Sequence, residues 1–99
     1  MIGLERKTAL VTGGAKRLGR AIGLGLAREG CNVAGHYGES AVDAEQTAHD
    51  MSQLGVRAWI VQGDLSDPAN AEDVLERAMG VAGPLELLVN SASVFPEST

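Results

Sequence analysis

An apolar, β-branched stretch, Thr8-Ala9-Leu10-Val11-Thr12, runs directly into Gly13-Gly14-Ala15-Lys16-Arg17-Leu18-Gly19-Arg20, and then into an amphipathic stretch that continues to Glu29. A strand, a glycine-bearing turn and a helix start, in that order, restrict the fold more than any other feature of the chain. Small residues let the backbone come close to a ligand. A helix N-terminus adds free N–H groups and the positive end of the helix dipole. The run therefore reads as a cradle for phosphate rather than as a tight βα turn without a ligand. The neighbouring cations Lys16 and Arg17 point to a ligand that carries more than a bare pyrophosphate. The run is not a P-loop, because Lys16 is followed by Arg17 and no Ser or Thr is placed to hold Mg²⁺. It is not the plain G-x-G-x-x-G fingerprint either.

Strand-like and helix-like segments alternate along the rest of the chain, with no linker or low-complexity stretch between them. The pattern predicts a first strand over 7–12 and a first helix over 18–29, stopped by Gly30, with Leu18, Ile22, Leu26 and Ala27 on one apolar face. Gly23 and Gly25 inside that helix read as positions of close packing on the sheet. A second strand spans 32–36. A second helix spans 41–54, with Ser40 as N-cap, Asp43 completing a capping pattern and Gly55 at its end. A third strand spans 57–62, a third helix runs from Pro68, after Asp67, to about Gly83, and a fourth strand spans 85–90. Strands joined by helices and buried on both faces make a parallel α/β sheet. The doubly wound, Rossmann-like solution orders the strands 3-2-1-4. That order brings Thr12-Gly13 and Asn90-Ser91 to one crevice at the topological switch point. A βαβαβαβ unit of this kind is the first half of a dinucleotide-binding fold.

Length and composition narrow the function classes. Residues 1–99 read as one domain with the composition of a globular protein. A net charge of −5 argues against nucleic acid and anionic membranes as partners, and the positive charge near the turn resides in Lys16, Arg17 and Arg20. Cys31 is the only cysteine, so an internal disulfide is excluded and a reducing cytoplasm is the simplest location. No segment reads as a signal peptide or as a membrane helix. No His, Cys and carboxylate group has metal-ligand spacing. Trp59 reads as a packing residue, and His49, Asp43, Glu45 and Asp50 read as a solvated helix surface.

The turn resembles the T-G-x-x-x-G-x-G signature of the short-chain dehydrogenases/reductases. Thr12, Gly13 and Gly19 match it, and Arg17 stands where the middle glycine is expected. The sequence T-G-G-A-K-R-L-G-R is similar to the pteridine reductase branch of that family. The resemblance covers essentially the whole chain. It recurs at His36-Tyr37 with Ser40, at Asp64-Leu65, and at Asn90-Ser91-Ala92-Ser93-Val94-Phe95, where the family usually reads N-N-A-G.

The resemblance implies a cofactor site made of Thr12, Gly13, Lys16, Arg17, Leu18, Gly19, His36, Tyr37, Ser40, Asp64, Leu65, Asn90, Ser91 and Ala92. It implies a substrate site that uses Arg17, Ser93 and Phe95. On chemistry alone, Asp64 reads equally as an acceptor for an adenine amino group and as a turn residue; the resemblance implies the adenine contact. An acidic residue after the second strand would hold a ribose 2′-hydroxyl, and Tyr37 occupies that position. Lys16, Ser40 and His36 favour NADP(H), whereas Glu39 opposes a 2′-phosphate and leaves NAD(H) open. Phe95 reads either as a ring stacked on a planar heterocycle or as a core residue.

Reduction in this family uses a Tyr-x-x-x-Lys pair well after the fourth strand. Tyr37 is the only tyrosine here, and Ala41 stands four residues after it, so no catalytic residue is assigned. Three readings follow. One is the NADP(H)-binding portion of an oxidoreductase acting on a carbonyl or pterin-like substrate. Another is a non-catalytic nucleotide-binding module. The last is an interaction protein that reuses the half-fold. The fourth strand carries Leu85, Leu87, Leu88 and Val89 at a sheet edge, which predicts a homo-oligomer that covers that edge and face.

Overall fold

A computed structural model describes residues 3–13 and 17–91. The elements follow the expected order: β1 (Thr8–Thr12), α1 (Arg17–Arg28), β2 (Asn32–Tyr37), α2 (Ala41–Ser52), β3 (Ala58–Gln62), α3 (Pro68–Ala82) and β4 (Leu87–Asn90). The strands form one parallel sheet in the order β3-β2-β1-β4. In register, Thr8 pairs with Asn32, Thr12 with Asn90, and His36 with Val61. All strands therefore end at the same edge of the sheet, where ligands bind in open α/β folds.

Alternation along the strands divides the core. Leu10 points to the α3 face, where it packs with Ala34, Val61, Val74 and Ala78, joined by Trp59 and Leu65. Val11 points to the opposite face and packs with Ala27, Val33 and Met51, joined by Ile22, Leu26 and Val89. Every residue of β1 is buried, as a central parallel strand requires. Cys31 is fully buried, and burial, reinforced by the Glu86 charge, pushes its thiol above the ordinary value. It is a neutral packing group.

Several local expectations are corrected. Leu18 is 64% exposed. The residues of α1 that are fully buried are Gly19, Gly23 and Ala27, a small-residue stripe at helical spacing, and Leu18 lies one residue off it. Gly23 is a close-packing position: a Cβ there would come 3.1 Å from Met51 Sδ and 3.8 Å from Val33 Cγ1. Gly25 is not, because a Cβ there would meet nothing within 4 Å. Ser40 precedes α2 but makes no side-chain capping bond; its φ of −90° and ψ of 72° lie outside the usual cap geometry. The S-x-x-D pattern with Asp43 therefore does not close as a capping box. At α3 the cap does form, with the Asp67 carboxylate accepting from the Ala69 N–H and Pro68 opening the helix.

Asp50 is not part of a freely solvated face. Its carboxylate takes the Arg20 guanidinium at 2.5 Å and the Gln46 amide at 3.0 Å, and Arg20 also donates to Thr47 Oγ1 at 3.0 Å. The Arg20 contacts join α1 to α2, and the bonds to Asp50 hold its carboxyl below the usual carboxylate range, chiefly through the hydrogen bond from Arg20. A depressed acid contributes stability above its ordinary range and loses it as pH falls through the depressed value. Asp50→Asn is therefore expected to lower Tm at neutral pH. The gap between the two proteins should close on acidification below about pH 4, and it should narrow in high salt because the pair is partly exposed. Thermal melts of both proteins across pH measure this; a gap independent of pH would contradict it.

Candidate cofactor site

The crevice is built on the ends of the two central strands. Thr12 closes β1 beside Asn90 of β4, and its hydroxyl donates to Asn90 Oδ1 at 2.8 Å. The Thr12 carbonyl accepts the Ser91 N–H at 3.2 Å and also the Ser91 hydroxyl. Thr12, Asn90 and Ser91 thus brace one another across the floor of the crevice. Gly13 then turns the chain with φ 68°, a left-handed conformation that an L side chain rarely adopts.

Gly19 is where α1 descends onto this floor. A Cβ on Gly19 would overlap the Gly13 carbonyl and come 2.7 Å from Ser91 Oγ. The absence of a side chain lets the first turn of the helix rest on the strand ends, with its N–H groups near the turn. Arg17 has φ 35°, also left-handed, and an exposed side chain. That backbone explains the glycine expected there: an L residue in this region costs about 1–2 kcal/mol, so Arg17 holds a strained position with an exposed side chain. Arg20, expected to share in the positive charge of the turn, is instead bound to Thr47 and Asp50.

The other predicted residues gather at the same edge, in different roles. His36 is 4% exposed, and its ring contacts two backbones: Nδ1 accepts the Gly13 N–H at 3.0 Å, and Nε2 lies 2.7 Å from the Gly63 carbonyl. A carbonyl can only accept, so the proton sits on Nε2 and the ring is the neutral Nε2–H tautomer. With both nitrogens engaged, His36 is a strut between strand ends and is not turned toward a 2′-phosphate. Tyr37 is half-buried at the end of β2 and Ser40 is half-buried at the start of α2.

Asp64 is exposed and accepts from the Ser66 N–H at 3.0 Å and the Ser66 hydroxyl at 2.7 Å, both on Oδ1. These bonds, the hydroxyl's first, lower its carboxyl below the usual range. The turn role of Asp64 is therefore present in the structure. Leu65 packs against the α3-side core. Lys16, Ala92, Ser93 and Phe95 lie outside the described residues.

Gly63 is a site residue that the sequence reading missed. It follows β3, accepts from His36, and leaves no room for a side chain because a Cβ would overlap Val74 Cγ2. The available signal was a lone glycine directly after a strand. Among the described residues no group of His, Cys, Asp and Glu could hold a metal, and no helix is long and apolar enough to cross a membrane.

Comparison with known proteins is consistent with this geometry. The family described as short chain dehydrogenase matches residues 7–99. An L-rhamnose 1-dehydrogenase (NAD(P)(+)) from a Sphingomonas species is 38% identical over 94% of this chain and 37% of its own length. A short chain dehydrogenase from Burkholderia cenocepacia, solved in complex with NADP, superposes with a TM-score of 0.87 at 38% identity over 95% of this chain and 38% of its own. FolM alternative dihydrofolate reductase 1 from Brucella canis, solved with NADP, gives a TM-score of 0.84 at 37% identity over 95% of this chain and 38% of its own. The chain thus spans little more than a third of the length of these relatives.

The two buried glycines of α1 separate by what faces them. Gly19→Ala drives a Cβ into backbone and is expected to destabilise the fold by about 1–3 kcal/mol, the usual cost of overpacking. Gly23→Ala meets only the flexible end of Met51 and gains helix propensity, so it should stay within about 1 kcal/mol of the parent. Urea denaturation of the two variants measures the contrast, and equal losses would contradict it.

Proposed function

The chain belongs to the short-chain dehydrogenase family, and from that premise we propose that it is the NADP(H)-binding portion of an oxidoreductase acting on a carbonyl or pterin-like substrate. The observation that carries this reading is the seating of α1 on Gly13 and Ser91 through Gly19. It sets a helix N-terminus over the switch point between β1 and β4, where a pyrophosphate finds N–H donors and the helix dipole.

The residues present fit such a group. Gly13 takes the left-handed turn, Gly19 lets α1 sit low on the strand ends, and Arg17 adds an exposed cation at the start of the helix. Tyr37 replaces the acid that would repel a 2′-phosphate, while Lys16 and the uncapped Ser40 hydroxyl supply a cation and a donor for it. Two solved relatives carry NADP. Asp64, with Oδ1 held by Ser66, offers its remaining oxygen to an adenine amino group, and Leu65 lines that end. Thr12, Asn90 and Ser91 border the opposite end, where the nicotinamide would lie, and Ala92 follows them in the sequence.

When bound, NADP(H) supplies a hydride to an unsaturated carbon of the substrate. The chain's own part is to bind and orient. The crevice floor of Thr12, Asn90 and Ser91 is internally hydrogen-bonded and so holds its shape without the ligand. A pterin-like substrate is supported by Arg17, Ser93 and Phe95, which resemble the pteridine reductase pattern, and by the FolM neighbour. In the family the tyrosine of a Tyr-x-x-x-Lys pair donates the proton, and residues 1–99 contain no such pair.

We propose a cytoplasmic location and self-association through β4, an edge strand in these residues, whose Leu88 is 63% exposed. Light scattering reads the latter: Leu88→Lys should shift the chain toward monomer, and an already monomeric parent would overturn it.

Parallel calorimetric titrations with NADPH and NADH test the cofactor reading. Saturable NADPH binding that is tighter than NADH binding is expected. Lys16→Ala should weaken NADPH by about tenfold, or about 1.4 kcal/mol, and weaken NADH much less. Equal losses would remove Lys16 from the 2′-phosphate, and no binding of either nucleotide would overturn the proposal.

A further inference from the structure

The buried polar side chains among the described residues are Thr8, Thr12, Thr47 and His36, and only His36 titrates among them. It sits at the one edge of the sheet where a ligand would enter. Its ring spans the ends of three adjacent strands: Gly13 follows β1, His36 lies in β2, and Gly63 follows β3. We propose that His36 is a positioning residue for the cofactor turn, holding the Gly13 N–H through its neutral Nε2–H tautomer and releasing it when protonated. The bond itself is independent of the functional reading above; its coupling to NADP(H) rests on that reading.

Two consequences follow from the geometry. The Gly13 N–H is directed back at the sheet, onto Nδ1 at 3.0 Å, and not into the crevice. His36 therefore holds the Gly13 N–H, which is not among the donors free to meet a phosphate. Protonation would place a second N–H on Nδ1, opposite the Gly13 donor. Two donors cannot share that contact, so the ring or the turn must move. The Gly63 side is unaffected, because Nε2 donates in both forms. Protonation thus acts on the turn end of the strut alone.

The charged groups on the surrounding elements are identifiable. Arg17 opens α1 and Asp64 follows Gly63, where Ser66 holds its carboxylate. Arg77 of α3 donates to the Gln62 carbonyl and pairs with Asp73 at 2.9 Å. None of them takes a hydrogen bond from the imidazole, whose partners are both backbone groups. The ring's protonation therefore acts on the turn by changing a backbone hydrogen bond rather than by breaking an ion pair.

The test uses the 99-residue chain with ¹⁵N-labelled histidine. At about pH 8, NMR should show Nε2 protonated and Nδ1 bare. Acidification that protonates the ring should move Nδ1 and the Gly13 amide in one shared titration. A protonated Nδ1 at the higher pH, or a Gly13 amide that ignores the titration, would overturn the proposal whether or not a nucleotide binds.

NADPH titrations then read the coupling. The parent should lose roughly tenfold in affinity across that titration, the scale of one hydrogen bond. His36→Gln keeps one acceptor and one donor but does not titrate. It should bind near the parent's high-pH affinity and keep it on acidification, apart from the ligand phosphate's own titration, which NADH lacks. His36→Leu should bind weakly throughout. Identical pH profiles for the parent and His36→Gln would remove the positioning role. The expected NMR titration without NADPH binding at either pH would instead fail the cofactor reading and leave the His36 bond standing.

Discussion

Helix α1 meets the sheet through backbone, and the rest of the crevice depends on that contact. At Gly19 the helix lies against the Gly13 carbonyl and the Ser91 side chain, at a separation that excludes even a methyl group. Further along, Gly23 meets Met51 and Val33, and Ala27 is fully buried. A stripe of small residues seats the helix low over β1. The low seat carries the helix N-terminus to the strand ends, where its dipole and free N–H groups can act on an anion. A larger residue at position 19 would lift the first turn and remove both.

Hydrogen bonds among strand ends hold what the helix sits on. Thr12, Asn90 and Ser91 brace β1 against β4, and His36 braces the turn after β1 against β2 and the loop after β3. Thr12 and His36 are buried and Ser91 is half-buried, while Asn90 is exposed at the end of β4. The two buried groups would carry a desolvation cost without their partners, so they favour one arrangement of the crevice. The floor of the site is therefore cross-braced, and Arg17 at the start of α1 is exposed. Charge is distributed by the same logic. Arg20 and Asp50 neutralise each other between α1 and α2, Asp64 is held by Ser66, and Arg17 is exposed at the start of α1.

Much of this was legible in the chain itself. The strand order, the parallel sheet, the βα turn and its two central partners all follow from hydrophobic period, glycine placement and the rules of doubly wound sheets. The Asp67-Pro68 start of α3 was readable because its chemistry is local. The same reasoning overreached at Ser40, where the residue type suits a cap but the backbone angles do not. Leu18 shows the limit of periodicity. Glycines are silent in an apolar count, so Gly19 was passed over on the buried stripe and Leu18 beside it was taken instead, although Gly23 and Ala27 were read as packing positions. Arg17 shows the reverse: its departure from the expected glycine was visible, and the positive φ that explains the expectation was not.

The sequence by itself determined the alternation of elements, the α/β class, the family resemblance and the position of the nucleotide turn. Those depend on local propensity and on the period of apolar residues, which are written along one dimension. The tertiary structure alone decided how the polar residues are used. His36 became a strut, Arg20 and Asp50 became a helix-to-helix tie, and Gly63 became part of the site. Each of those roles requires a partner between 27 and 30 residues away in the chain, or, for the Gly13 bond, 23 away. Which distant donor meets which acceptor is set by strand register and helix seating, and no count along the sequence contains it.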